Sequence, residues 1–165
     1  MDILWQELTS GLPDAEQWLR VLIRLIAASV LGAVVGFQRE RAGKPAGLRT
    51  HMLVSLGTVV FVLACSAVGM SLGDLSRIVQ GIATGIGFIG AGSILKIGDG
   101  QEVKGLTTAA GIWMTAAIGA AVGLGSLGVA LLGTVFALIV LAFAVRLEES
   151  AEKRRAARDG KREGP

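Results

Sequence analysis

The chain has 165 residues, of which 52% are hydrophobic and 18% charged, with a net charge of +3. Its mean hydropathy of +0.64 and its long uncharged runs exclude an ordinary soluble domain and indicate one small integral membrane domain. A single cysteine, Cys65, excludes an intrachain disulfide, and a single histidine, His51, excludes the multi-histidine zinc motifs. The basic residues gather in one loop and the tail, so the positive charge makes no case for nucleic acid.

Taken in order, residues 1–17 form an interfacial N-terminal segment. Ile3, Leu4, Trp5 and Leu8 alternate with Asp2, Gln6 and Glu7 as in a short amphipathic helix lying on a membrane. No basic stretch precedes the first apolar run, so a cleaved signal peptide is not expected. Gly11-Leu12-Pro13-Asp14 reads as a break followed by a helix start. The first membrane helix is expected over residues 18–37. Arg24 lies about one turn inside it, close enough to reach the headgroups; a buried role is the alternative. Ser29, Gly32, Ala33 and Gly36 give this helix a small face.

Residues 38–51 are the most polar stretch between helices, with Arg39, Arg41, Lys44 and Arg49 against Glu40. A second helix follows over 52–69 and a short turn over 71–76. The third helix, 77–96, holds about eighteen uncharged residues between Arg77 and Lys96, enough to cross a bilayer. Five are glycine: Gly81, Gly85, Gly87, Gly90 and Gly92. In water a glycine weakens a helix by roughly 1 kcal/mol relative to alanine. Close approach of neighbouring backbones explains such a run, which predicts a central helix held by neighbours on more than one side. An unwound segment offering carbonyls to an ion is the other reading.

Residues 96–104 are a compact charged loop. From 105 to 145 no charge occurs, a length of about forty-one residues that suits two spans. Residues 123–128 form the turn between them, and Ala109, Ala110, Ala116, Ala117, Gly119 and Ala120 keep the fourth helix small. The expected fold is thus all-α, a bundle of five membrane helices over residues 18–145. A basic, helix-compatible tail follows over 146–165. The loop at 39–49, the loop holding Lys96 and Lys104, and the tail fall on one side of such a bundle. The positive-inside rule makes that side cytoplasmic, with the N-terminus outside and the C-terminus inside.

No Asp or Glu lies in the middle of a span, which argues against a carboxylate-lined carrier. Polar chemistry gathers instead at the cytoplasmic face, in Arg39, Glu40, Arg49, Thr50, Lys104, Thr107 and Thr108. This cluster could hold an anion or a lipid headgroup at a helix start. Equally, Thr107 or Thr108 caps the helix and the charges serve topology alone. His51 reads as an interfacial side chain and Trp113 as packing. Gln80 and Thr84 share a face and could bond across helices. No catalytic set is present. Gly85-Ile86-Gly87-Phe88-Ile89-Gly90 matches a dinucleotide fingerprint only literally, because it lies in a span and follows no strand. No enzyme activity and no cofactor are expected, and no metal-ligating set can be named.

Four separated motifs occur in order: Gly36-Phe37-Gln38-Arg39-Glu40-Arg41; Gly43-Lys44-Pro45-Ala46-Gly47-Leu48-Arg49-Thr50-His51-Met52-Leu53-Val54; Gly85-Ile86-Gly87-Phe88-Ile89-Gly90-Ala91-Gly92; and Val103-Lys104-Gly105-Leu106-Thr107-Thr108-Ala109-Ala110. In this order the chain resembles the MgtC/SapB family of bacterial inner-membrane proteins over about residues 19–145. The resemblance implies a multi-pass protein of the inner membrane linked to magnesium limitation, which need not itself carry magnesium. It also implies regulation by contact with another membrane complex, such as the proton-translocating ATP synthase. Three functions follow as expectations: a non-enzymatic homeostasis protein acting through a membrane-protein partner, a small homo-oligomeric transporter of magnesium or another ion, and a structural protein that binds lipid.

Overall fold

The computed structural model describes residues 2–9, 14–97 and 102–159. Its elements are α1 (Asp2–Thr9), α2 (Ala15–Arg41), α3 (Leu48–Ala67), α4 (Leu72–Gly92), β1 (Leu95–Ile97), β2 (Glu102–Lys104), α5 (Leu106–Gly123) and α6 (Leu127–Asp159). The chain is therefore almost wholly helical, as its composition requires. Three helices, α2, α3 and α5, are long and apolar enough to cross a membrane, and the stretch Leu127–Phe143 of α6 is a shorter apolar helix.

Local chemistry sets the helix ends. Asp14 accepts from the Gln17 amide at 2.7 Å and starts α2. Ser71 accepts from the Asp74 amide at 3.2 Å and donates its hydroxyl to the Asp74 carboxylate at 2.6 Å. This reciprocal cap makes residues 71–76 the first turn of α4, where the sequence suggested a separate turn. At its other end α4 stops at Gly92, and Leu95–Ile97 pairs antiparallel with Glu102–Lys104. The expected charged loop thus holds a short antiparallel strand pair, and the third helix is shorter at that end than its apolar run suggested. Gly105 connects β2 to α5 with φ of +96°, and a Cβ there would overlap the Ser93 carbonyl oxygen. Only glycine fits both conditions.

At the centre, α3 packs on both α2 and α5. A Cβ on Gly36 would stand 2.7 Å from the Leu48 Cα, and one on Gly119 would stand 2.6 Å from the Ser55 carbonyl oxygen. The backbones meet where side chains are missing, the packing that membrane helices use in place of a hydrophobic driving force. Around this contact Ala28, Leu31 and Val35 of α2, Val59 of α3, Ile118 and Val122 of α5, and Ala130 and Leu141 of α6 form one buried cluster. Hydroxyl groups in this interior bond to their own helix: Thr58 to the Val54 carbonyl, Thr115 to Gly111 and Thr134 to Ala130. Each therefore enters an apolar setting without an open donor.

Arg24 has a partner within the chain. It donates to the Gly123 carbonyl at 2.9 Å and so satisfies an orphan acceptor at the C-terminal end of α5, where the helix dipole favours a cation.

The glycine-rich α4 packs at the edge, mainly on α5 and less on α3. Gly90 is buried, with a Cβ there 3.5 Å from Ala109 Cβ, whereas a Cβ on Gly81, Gly85, Gly87 or Gly92 would meet nothing within 4 Å. The expectation of a central helix gripped on several sides is corrected: within this chain α4 is a regular helix held on one flank. The alternation of small residues does not say which side they face. The tight backbone contacts belong to α2, α3 and α5 instead.

Candidate functional site

Of the seven polar residues singled out at one face of the bundle, Arg39 and Thr108 are joined by a hydrogen bond. Arg39, in the last turn of α2, is only 1% exposed. Its Nη2 donates to Thr108 Oγ1 on α5 at 3.3 Å. Arg39 is carried inward because Leu31, Val35 and Arg39 recur at four-residue spacing on the buried face of α2. Thr108 lies at the corresponding start of α5. It does not cap that helix, whose N-cap is Gly105 without a side-chain bond.

Glu40, next along α2, points the other way. Its Oε2 accepts from the Leu48 amide at 3.0 Å and supplies the negative end that the N-terminus of α3 prefers. Arg49 is exposed and Thr50 and Thr107 are half-buried, while Lys104 ends β2 at the surface. Among the described residues, no hydrogen bond draws Arg49, Thr50 or Thr107 into the junction with Arg39.

The structure adds residues to the junction that the sequence did not point to. His51 is fully buried, and its Nδ1 shares a hydrogen bond of 2.7 Å with Thr115 Oγ1. It is an interior residue and not an interfacial one. Gly111 closes the group: a Cβ there would lie 3.6 Å from His51 Cε1 and 4.0 Å from Arg39 Nε. Ser55, one turn beyond His51 on α3, is also fully buried. The available signal was the stripe Thr108, Gly111, Thr115, Gly119 on α5, polar or bare at helical spacing in an otherwise apolar segment. Thr84 does not reach across helices, because its hydroxyl bonds to the Gln80 carbonyl of its own helix at 2.9 Å. Trp113 is half-exposed and lines a small apolar crevice between α4 and α5.

Chemically the junction offers a guanidinium, an imidazole and hydroxyl groups. Among the described residues no group of three or more His, Cys, Asp or Glu could hold a metal ion. Carboxylate oxygens, the usual protein ligands of magnesium, are not part of it. What the arrangement does do is tie three helices together through polar bonds that exchange poorly with water.

Apolar helices of spanning length around a buried polar junction define an integral membrane helix bundle. The particular family follows from sequence comparison. The model of the MgtC family matches residues 25–150, and the chain belongs to that family. It is 45% identical over 151 residues to Protein SrpB of Synechococcus elongatus, covering 85% of this chain and 82% of that protein. It is 44% identical over 130 residues to the Escherichia coli K12 protein named "Putative magnesium transporter YhiD", covering 73% of this chain and 58% of that protein. It is 41% identical over 132 residues to Protein MgtC of Salmonella typhimurium, covering 80% of this chain and 54% of that protein. The chain thus spans most of the first relative but little more than half of the other two. No solved structure matches it. The relatives and the apolar helices together make this a membrane protein of a family linked by name to magnesium.

Proposed function

We propose that the protein is a non-enzymatic component of magnesium homeostasis in the bacterial inner membrane, acting by helix–helix contact with another membrane complex. The proton-translocating ATP synthase is the candidate partner that the family resemblance suggests. In this reading α2, α3, α4, α5 and the apolar part of α6 are the five spans. The end carrying Arg39, Arg41, Lys44, Arg49 and Lys104 faces the cytoplasm, by the positive-inside rule.

The observation that carries the reading is the open face of α4. Gly81, Gly85 and Gly92 have free space where a side chain would stand, and Phe88 between them is 85% exposed. A bare helix face flanking one large side chain gives a second helix a close approach and a knob to enclose. The test is recovery of partners from native membranes by cross-linking, with Gly85→Leu beside the wild type. Loss of a cross-linked partner, together with loss of growth at low magnesium, supports contact through α4. Unchanged growth and an unchanged cross-linking pattern overturn it.

A second reading, ion transport by this chain, draws on the name of the YhiD relative. Flux of magnesium into vesicles holding only the purified protein would favour transport over contact.

A further inference from the structure

A groove of about 270 Å³ opens between Val35 of α2, Ala110 and Met114 of α5, and Phe136, Ala137 and Leu141 of α6. Its position along the three helices is consistent. Val35 lies six residues before Arg41 at the end of α2. Met114 lies eight residues after Leu106 at the start of α5. Phe136 lies seven residues before Phe143, the last residue of the apolar stretch of α6. At 1.5 Å per helical residue, the lining falls within about 12 Å of one end of the bundle. That depth fits inside the roughly 15 Å of hydrocarbon that one leaflet contributes.

The same end is basic. Arg41 and Arg49 are exposed there, and the Arg41 guanidinium stacks 4.5 Å over the half-exposed ring of Phe37. An aromatic ring carrying a cation suits the boundary between acyl chains and headgroups. The groove lining is wholly apolar, so it offers nothing to an ion or a headgroup and suits a hydrocarbon chain. Phe37 and Arg41 lie round α2 from Val35, so the cations do not line the groove; they give this end of the bundle the positive surface that attracts an anionic lipid, at the level where its phosphate would lie.

We propose that this groove binds one acyl chain of an anionic phospholipid, whose phosphate meets the basic end of the bundle. The proposal goes beyond contact through α4 and shares with it only the placement of the helices in a bilayer. It uses the opposite flank of α5, so either can fail alone.

The experiment uses the full chain in vesicles of phosphatidylcholine doped with a photoactivatable lipid carrying the reactive group midway along one acyl chain. The doped lipid is either phosphatidylglycerol or phosphatidylcholine, with identical chains. The expected result is labelling concentrated on residues 110–114 and 136–141. Labelling from phosphatidylglycerol should exceed that from phosphatidylcholine by roughly fivefold, the factor that one basic side chain near the surface contributes. Ala137→Trp fills the groove and should remove this labelling, while Leu131→Trp, on an exposed part of α6, should leave it intact. Competition by unlabelled phosphatidylglycerol against unlabelled phosphatidylcholine gives the same answer on the unaltered chain, should the tryptophan variant not fold. Equal labelling by the two lipids, or labelling spread evenly over all exposed helix faces, overturns the proposal. So does a disulfide between two copies carrying Ala137→Cys, which would place a second chain in the groove.

Discussion

Gly119 of α5 and Gly85 of α4 occupy helices of similar length that both touch α3, yet their surroundings are opposite. At Gly119 a methyl group would press on the Ser55 carbonyl at 2.6 Å, and at Gly85 it would meet nothing within 4 Å. The first glycine lets two backbones of one chain touch. The second leaves a bare surface that the chain itself does not cover. In hydrocarbon, where burying apolar area gives no advantage over lipid, close packing and polar bonds are what hold helices together. The region around α2, α3 and α5 has both. Along α4, only the flank turned to α5 and α3 has packing.

The widest separation between the two regions should appear with bulky substitution. Gly119→Leu should destabilise the protein by at least the roughly 1–3 kcal/mol of ordinary overpacking, because the obstacle is backbone and cannot rotate away. Thermal unfolding in detergent would show it, and an unshifted melting temperature would mean that α3 and α5 are not in backbone contact. Next in size is Arg39→Met, which strips Thr108 of a charged partner. A loss of about 1.5–3 kcal/mol is expected from a bond of this kind. Arg39→Lys should recover only part of it, since an ammonium lacks the planar fork of the guanidinium. Full recovery by lysine would show that charge alone matters there.

Glu40→Ala tests the rim of the same region. Removing the acceptor of the Leu48 amide should cost about 0.5–1 kcal/mol and speed hydrogen exchange in the first turn of α3. The smallest stability effect is expected for Gly85→Leu, within about 0.5 kcal/mol of the wild type, as for other exposed positions. Its effect should fall on partner contact and growth at low magnesium. A drop in melting temperature matching that of Gly119→Leu would erase the distinction between the two regions.

Much of the architecture is legible in the sequence. The uncharged runs and their polar breaks announced the helices that build the bundle, because a backbone in hydrocarbon must satisfy its own hydrogen bonds and does so as helix. Boundaries were read less well. The reciprocal Ser71–Asp74 cap starts α4 at Leu72, whereas the uncharged run begins only after Arg77. The pairing of Leu95–Ile97 with Glu102–Lys104 stands beside Gly105, whose left-handed conformation lies against Ser93, a contact that composition does not reveal. Of the polar residues chosen at one face, Arg39 and Thr108 do meet. His51 and Thr115 join them only because α3 and α5 bring positions 64 apart in sequence to within a hydrogen bond.

Composition and periodicity by themselves determined that this chain forms apolar helices, where most of them lie, and which segments carry the basic charge. Those properties are local, since they depend on the solvent each residue prefers and on 3.6 residues per turn. The tertiary structure alone decided which glycines are contacts and which are open surface. The stripes of α4 and α5 look alike as strings. A missing side chain marks only where another backbone can approach, and the packing of the other helices selects where one does.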